Sequence, residues 1–157
     1  MVVTPTLQKQ HAAIMALCDE LLEALDELKS NEAQDNLNHI MPLINTFVAK
    51  SLHHLAAEDN HTYIVALASP DERVSIRAYE LKRDFGNLRS KIVSFRERFL
   101  TSRMPSAPDL FIQEAAMLIK MSKKRIIREE KELFPLFLKE PPFKDSSSEQ
   151  MLSGKQR

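Results

Sequence analysis

Apolar side chains recur along this chain at alternating steps of three and four residues in four successive stretches. That is the period of helices that bury one stripe against their neighbours. The first stripe reads Leu7, His11, Ile14, Cys18, Leu21, Leu25, Leu28 and the second Leu37, Ile40, Ile44, Phe47, Ser51, His54, Glu58, His61, Val65. The third is Val74, Ala78, Leu81, Phe85, Leu88, Ile92, Phe95, Phe99 and the fourth Phe111, Ala115, Leu118, Ser122, Arg125, Glu129, Glu132, Leu136. Polar or proline-bearing breaks separate them, at Ser30-Asn31, Ala68 to Glu72, Met104 to Pro108 and Pro141-Pro142. Thr4-Pro5, Ser69-Pro70 and Asp109 suit helix starts, as caps and first-turn residues. Gly86 and Gly154 are the only glycines. Tight hairpins, phosphate-cradling loops and dinucleotide turns have almost no material here.

The period predicts helices over roughly 5–29, 35–67, 71–101 and 109–139. Joined by short loops, they most simply form an all-α, up-down-up-down four-helix bundle. Pro42 lies inside the second stripe and predicts a kink or a helix start nearby, with a three-helix arrangement broken at Pro42 as the alternative. One domain over residues 1–144 accounts for the stripes. Residues 145–157 are polar and serine-rich and read as a disordered tail.

The 157 residues include 22 Lys plus Arg and 22 Asp plus Glu, so the formal net charge is zero. This balance offers no broad basic face for nucleic acid or an anionic membrane. Cys18 is the only cysteine, which excludes an intrachain disulfide framework and fits a reducing, cytoplasmic setting. No apolar run approaches the ~20 residues of a membrane helix, and the N-terminus lacks the features of a signal peptide. No nucleophile stands beside a base, so no catalytic residue is assigned and the chain reads as a non-enzyme.

The stripes are apolar except where they carry ionisable residues. His11 interrupts the first, His54, Glu58 and His61 the second, Arg125, Glu129 and Glu132 the fourth. Helix positions four apart share a face, so His54 with Glu58 and Arg125 with Glu129 point inward as pairs. Antiparallel helices bring these groups to one layer, which the third helix meets around Arg77, Glu80 and Asp84. Imidazoles and carboxylates converging in a bundle suit iron, manganese or zinc. The plainer readings are a hydrogen-bonded core or boundary histidine at His11, His39 and His53 at solvent or a helix boundary, a half-buried His61 and an inert thiol at Cys18.

From about Leu7 to Leu138 the chain resembles the hemerythrin-like (HHE) cation-binding domains. The resemblance rests on His11, on His53 through Asn60 with its His54-x-x-x-Glu58-Asp59, and on Arg128 through Pro135 with its Leu133-Phe134-Pro135 ending. It implies a non-haem di-iron centre built from several histidines and two bridging carboxylates, in oxygen binding or in iron and redox sensing. This chain departs from that pattern. The second His-x-x-x-Glu is Arg125-x-x-x-Glu129, and the third helix has no histidine. His11, His54, Glu58 and Glu129 are the metal ligands that carry over. They suit a reduced site for one ion with water, or two ions with unusual ligands from Glu80 or Asp84. Arg125, which cannot ligate a metal, bridges Glu129 and reaches Glu58 instead. Two functions follow. One is a hemerythrin-like domain with a reduced non-haem metal site, iron being the cofactor, in iron binding or redox and oxygen sensing. The other is a metal-free scaffold that works as a regulatory or protein-interaction domain, with a protein partner or a second copy of itself.

Overall fold

The computed structural model describes residues 5–30, 34–101 and 108–138. All regular structure among them is helical: α1 Pro5–Ser30, α2 Gln34–Ala57, α3 Tyr63–Leu67, α4 Glu72–Phe85, α5 Leu88–Phe99, α6 Pro108–Arg128 and α7 Phe134–Leu138. A π turn, Glu58–Thr62, joins α2 to α3, and a second, Glu129–Leu133, joins α6 to α7. The chain thus runs in four long helical stretches that pack as a four-helix bundle. α1 packs on α2 and α6, and α5 closes the ring against the same two. The tail expected over 145–157 lies outside the described residues, as do Thr4 and the Met104–Ala107 break.

Every stripe residue from Leu7 to Leu25 and from Leu37 to Glu58 is buried, as are all eight of the third stripe. Fully burying an aliphatic side chain such as Leu21, Ile44 or Ile92 contributes about 1.5–3 kcal/mol. Pro42 sits within α2 and does not start it. Its ring removes one helical N–H donor. The expected cap at Ser69 is corrected: Asp71 caps α4 by accepting from the Arg73 N–H at 3.0 Å, while Ser69 Oγ accepts from the Asp71 N–H at 3.2 Å. Asp109 lies in the first turn of α6, one residue inside Pro108.

The third stretch, expected to be one helix, breaks at Gly86-Asn87. A Cβ at Gly86 would collide with the Lys82 carbonyl oxygen, so the chain passes this turn without a side chain. The apolar stripe continues across it, from Phe85 to Leu88.

The core is divided. A larger cluster centres on Leu21, Ile44, Ile92 and Phe111, and a smaller one comprises Leu7, Tyr63, Ala66, Val74, Ala78, Leu81, Phe85, Leu133 and Phe134. Between them lies a layer of buried polar groups: His11, His54, Glu58, Arg125 and Glu129. No described helix is long and apolar enough to cross a membrane.

Candidate metal centre

The polar layer draws its groups from three stretches. α1 supplies His11, α2 supplies His54 and the residue after its end, Glu58, and α6 supplies Arg125 and the residue after its end, Glu129. His11, Glu58 and Glu129 are 0% exposed, and His54 and Arg125 are 2% and 3% exposed. At that depth, charges must be neutralised by one another or by a bound ion, since bulk solvent does not reach them.

Each carboxylate opens a π turn, and the extra residue rotates everything after it by about one position. This overturns two sequence expectations. On the second stretch, Thr62 and Tyr63 turn inward, while His61 is exposed and Val65 is 48% exposed. On the fourth, Leu133 and Phe134 turn inward and Glu132 moves to the rim. There Glu132 accepts from Arg77 Nη1 at 2.5 Å and from Arg128 Nε at 2.6 Å. Asp84 likewise pairs outside the layer, with Arg128 Nη1 at 2.7 Å, and Glu80 faces Arg77 at 3.5 Å. Neither belongs to the buried cluster, so the unusual ligands considered from helix three are ruled out by position.

His11, His54, Glu58 and Glu129 each offer a donor atom, and the four atoms lie within 4.8 Å of one another. His11 Nε2 is 3.1 Å from Glu58 Oε2 and 3.4 Å from Glu129 Oε1. His54 Nε2 is 3.2 Å from Glu58 Oε1, without the alignment of a hydrogen bond. Tetrahedral coordination at bond lengths of about 2.0–2.2 Å sets donors about 3.3–3.6 Å apart, so the nearest pairs are close to that spacing and the full set, within 4.8 Å, would draw in slightly around an ion. The outer ring nitrogens are also engaged. Nδ1–H of His54 donates to Gln10 Oε1 at 2.7 Å, and Nδ1–H of His11 to Glu130 Oε1 at 3.1 Å. Such outer bonds fix the rings with Nε2 facing the site, as in histidines that ligate metals. The His11 ring is further held by stacking on Phe134, at 5.2 Å and 10°.

Two buried atoms find no hydrogen-bond partner there, His54 Nε2 and Glu129 Oε1, and both belong to the four-donor cluster. Unsatisfied buried acceptors are costly and rare. The residues present therefore fit a cation placed among them.

Arg125 supplies a fixed positive charge beside this cluster. Its Nε donates to Glu129 Oε2 and its Nη2 to Glu58 Oε1, both at 3.2 Å, and Nη2 also reaches Asp59 Oδ1 at 3.4 Å. Its Nη1 donates to the Phe85 carbonyl at 3.3 Å, a group that the end of α4 leaves without a helical partner. Tyr63 O–H donates to Glu129 Oε2 at 2.6 Å.

Electrostatics follow from this crowding. Burial opposes a charged His11, but the adjoining carboxylates of Glu129 and Glu58 outweigh it and push the imidazole up to about 10. Burial also opposes an ionised Glu58, yet neighbouring His11, His54 and Arg125 hold it well below the usual carboxylate range. Glu129 moves the other way, pushed up by burial and by the negative charge of Glu58. Burial pushes the Cys18 thiol up to about 12, in keeping with an inert packed residue.

Sequence reasoning missed Gln10 and Tyr63, and it quoted Asp59 and Glu130 only within the motifs, without a role. One signal was available for Tyr63: an aromatic residue follows each carboxylate by five positions, Tyr63 after Glu58 and Phe134 after Glu129. A step of five between buried residues is what a π turn produces.

Residues 2–137 match the family described as the Hemerythrin HHE cation binding domain. Comparisons with curated proteins and with solved structures return no match.

Proposed function

We propose that this chain, which belongs to the hemerythrin HHE cation-binding domain family, binds a non-haem metal ion through His11, His54, Glu58 and Glu129. The observation that carries this reading is the pair of buried atoms without a hydrogen bond, His54 Nε2 and Glu129 Oε1, inside a four-donor cluster. Two imidazoles with two carboxylates suit iron, manganese or zinc, and iron is the ion we assign. Bound there, iron supplies one-electron chemistry, which fits redox or oxygen sensing. Gln10 and Glu130 aim the two imidazoles, Tyr63 holds one oxygen of Glu129, and the two apolar clusters on either side exclude water. The up-down-up-down order fits the pairings of His11 with Glu58 and Glu130, and of Arg125 with Phe85. We take the protein to be cytoplasmic and not an enzyme, since no nucleophile adjoins a base in the layer.

A second reading, a metal-free regulatory or protein-interaction scaffold, has its own support. With His11 as imidazolium, His11 and Arg125 balance Glu58 and Glu129 without an ion. Exposed Ile64, Ile76 and Tyr79 would then form part of the working surface.

Metal analysis separates the two. Expressed with iron available and purified without a chelating tag, the protein should carry stoichiometric metal. A His54→Ala/Glu58→Gln double variant should carry none, and His39→Ala should match the parent. Wild-type protein that takes up neither iron, manganese nor zinc would refute the metal reading in favour of the scaffold.

A further inference from the structure

Each buried carboxylate presents its two oxygens to two different positive positions. Glu58 turns Oε2 to His11 Nε2 at 3.1 Å, and its Oε1 lies 3.2 Å from both Arg125 Nη2 and His54 Nε2. Glu129 turns Oε1 to His11 Nε2 at 3.4 Å and Oε2 to Arg125 Nε at 3.2 Å. A pair of carboxylates disposed in this way bridges two cations. On one side stands His11 Nε2 and on the other a guanidinium, with His54 Nε2 beside the Glu58 oxygen that the guanidinium also contacts.

We propose that Arg125 is the permanent second cation of this site, so that the protein holds one metal ion where its two bridging carboxylates would otherwise hold two. The inference rests on the metal-binding reading above and adds the number of ions to it. Three features support it. A guanidinium stays protonated and offers no lone pair, so Arg125 can neither ligate an ion nor give up its charge to admit one. The side chain is also anchored from four directions: Glu58, Glu129, Asp59 and the Phe85 carbonyl accept from it, and its Cζ lies 5.1 Å from the centre of the Tyr63 ring. Swinging it aside would strand the carboxylates and the carbonyl together. Finally, there is no spare room. The cavity beside Arg125, lined in part by Ser51, His54, Glu58 and Ser122, measures about 10 Å³, the space of a single water.

The parallel between the two stretches sharpens the point. His54 precedes Glu58 by four residues and Arg125 precedes Glu129 by four, each followed by a π turn. The two positions are equivalent in their helices, one occupied by a ligand and the other by a cation.

Titration of the chelator-stripped protein with Mn(II) under anaerobic conditions, read by calorimetry, elemental analysis and electron paramagnetic resonance, tests this. Wild type should saturate at one ion, with the spectrum of an isolated Mn(II). Arg125→Lys keeps the charge and should also stop at one. Arg125→His should take two, with the spectrum of an exchange-coupled pair. Circular dichroism checks that each variant is folded, and wild type with Arg125→Lys decides the matter if Arg125→His does not fold. Two ions in wild type or in Arg125→Lys overturn the inference and leave the metal-binding reading standing. One ion in a folded Arg125→His also overturns it, since Arg125 would not be what sets the limit. No ion in wild type overturns both.

Discussion

Replacing Arg125 by Met should destabilise the metal-free protein severely, through electrostatics more than packing. Methionine is unbranched, flexible and apolar, so it refills much of the space. What it cannot supply is the charge between Glu58 and Glu129, each 0% exposed, which Arg125 contacts at 3.2 Å. Removing one partner of a buried ion pair costs about 3–5 kcal/mol, because the other is stranded in the interior. For a chain of this size each kcal/mol moves Tm by about 2–4 °C, so the fall should be about 6–20 °C. The loss should depend on pH. Glu129 is already pushed up by burial and by Glu58, and without the guanidinium it is pushed up further. A carboxyl with a raised folded-state pKa favours the folded state at low pH, so the penalty should shrink as pH falls toward the carboxylate range and grow above it. Urea denaturation followed by circular dichroism, in chelator at neutral and at mildly acidic pH, measures both effects. Arg125→Met/Glu129→Gln should recover a large part of the loss, since it removes one of the two stranded charges. A single variant that unfolds at the parent's midpoint at neutral pH would refute the reasoning. It would mean that the carboxylates are neutralised by something other than Arg125.

Four further outcomes are expected. His11 is raised from 6.5 to about 10, so in chelator its contribution to stability should be complete below about pH 6.5 and be lost as pH rises through about 10. Denaturation midpoints should fall across that window in wild type and fall less in His11→Leu, and a parallel fall would exclude His11 as the cause. Metal ligation needs a neutral imidazole, so loading near neutral pH should release a proton, seen as a calorimetric heat that varies with the buffer's ionisation enthalpy. Gln10→Ala and Glu130→Ala should weaken metal binding by about 10–100-fold while leaving helix content unchanged, because both groups orient ligand imidazoles from behind; unaltered affinity would show that the rings need no such support. Gly86→Ala should destabilise by about 1–3 kcal/mol, since its methyl group must displace the Lys82 carbonyl. A stabilised variant would show that the turn relaxes freely.

Much of this protein is legible in its amino-acid sequence. Four stripes of helical period set the fold class, because an apolar stripe leaves a helix no low-energy place except against other helices. Within the stripes, His11, His54, Glu58 and Glu129 stand out as the wrong chemistry for a core, and four-residue spacing places Arg125 beside Glu129. What the stripes could not reveal is where the helical period itself changes. Within Glu58–Thr62 and Glu129–Leu133 no residue announces a π turn, and the step of five to Tyr63 and to Phe134 is the one trace of it in the sequence. The register after these turns decides that Tyr63 and Phe134 enter the core in place of His61 and Glu132. The break at Gly86-Asn87 is of the same kind, and it leaves the Phe85 carbonyl where Arg125 can use it. The partners from distant positions, Gln10 on His54 and Glu130 on His11, also become visible only in the folded chain. Periodicity along a sequence reports which face of a helix is buried. The rotation of one helix against another, and hence which atoms meet across the layer, is settled by packing among residues far apart in the chain.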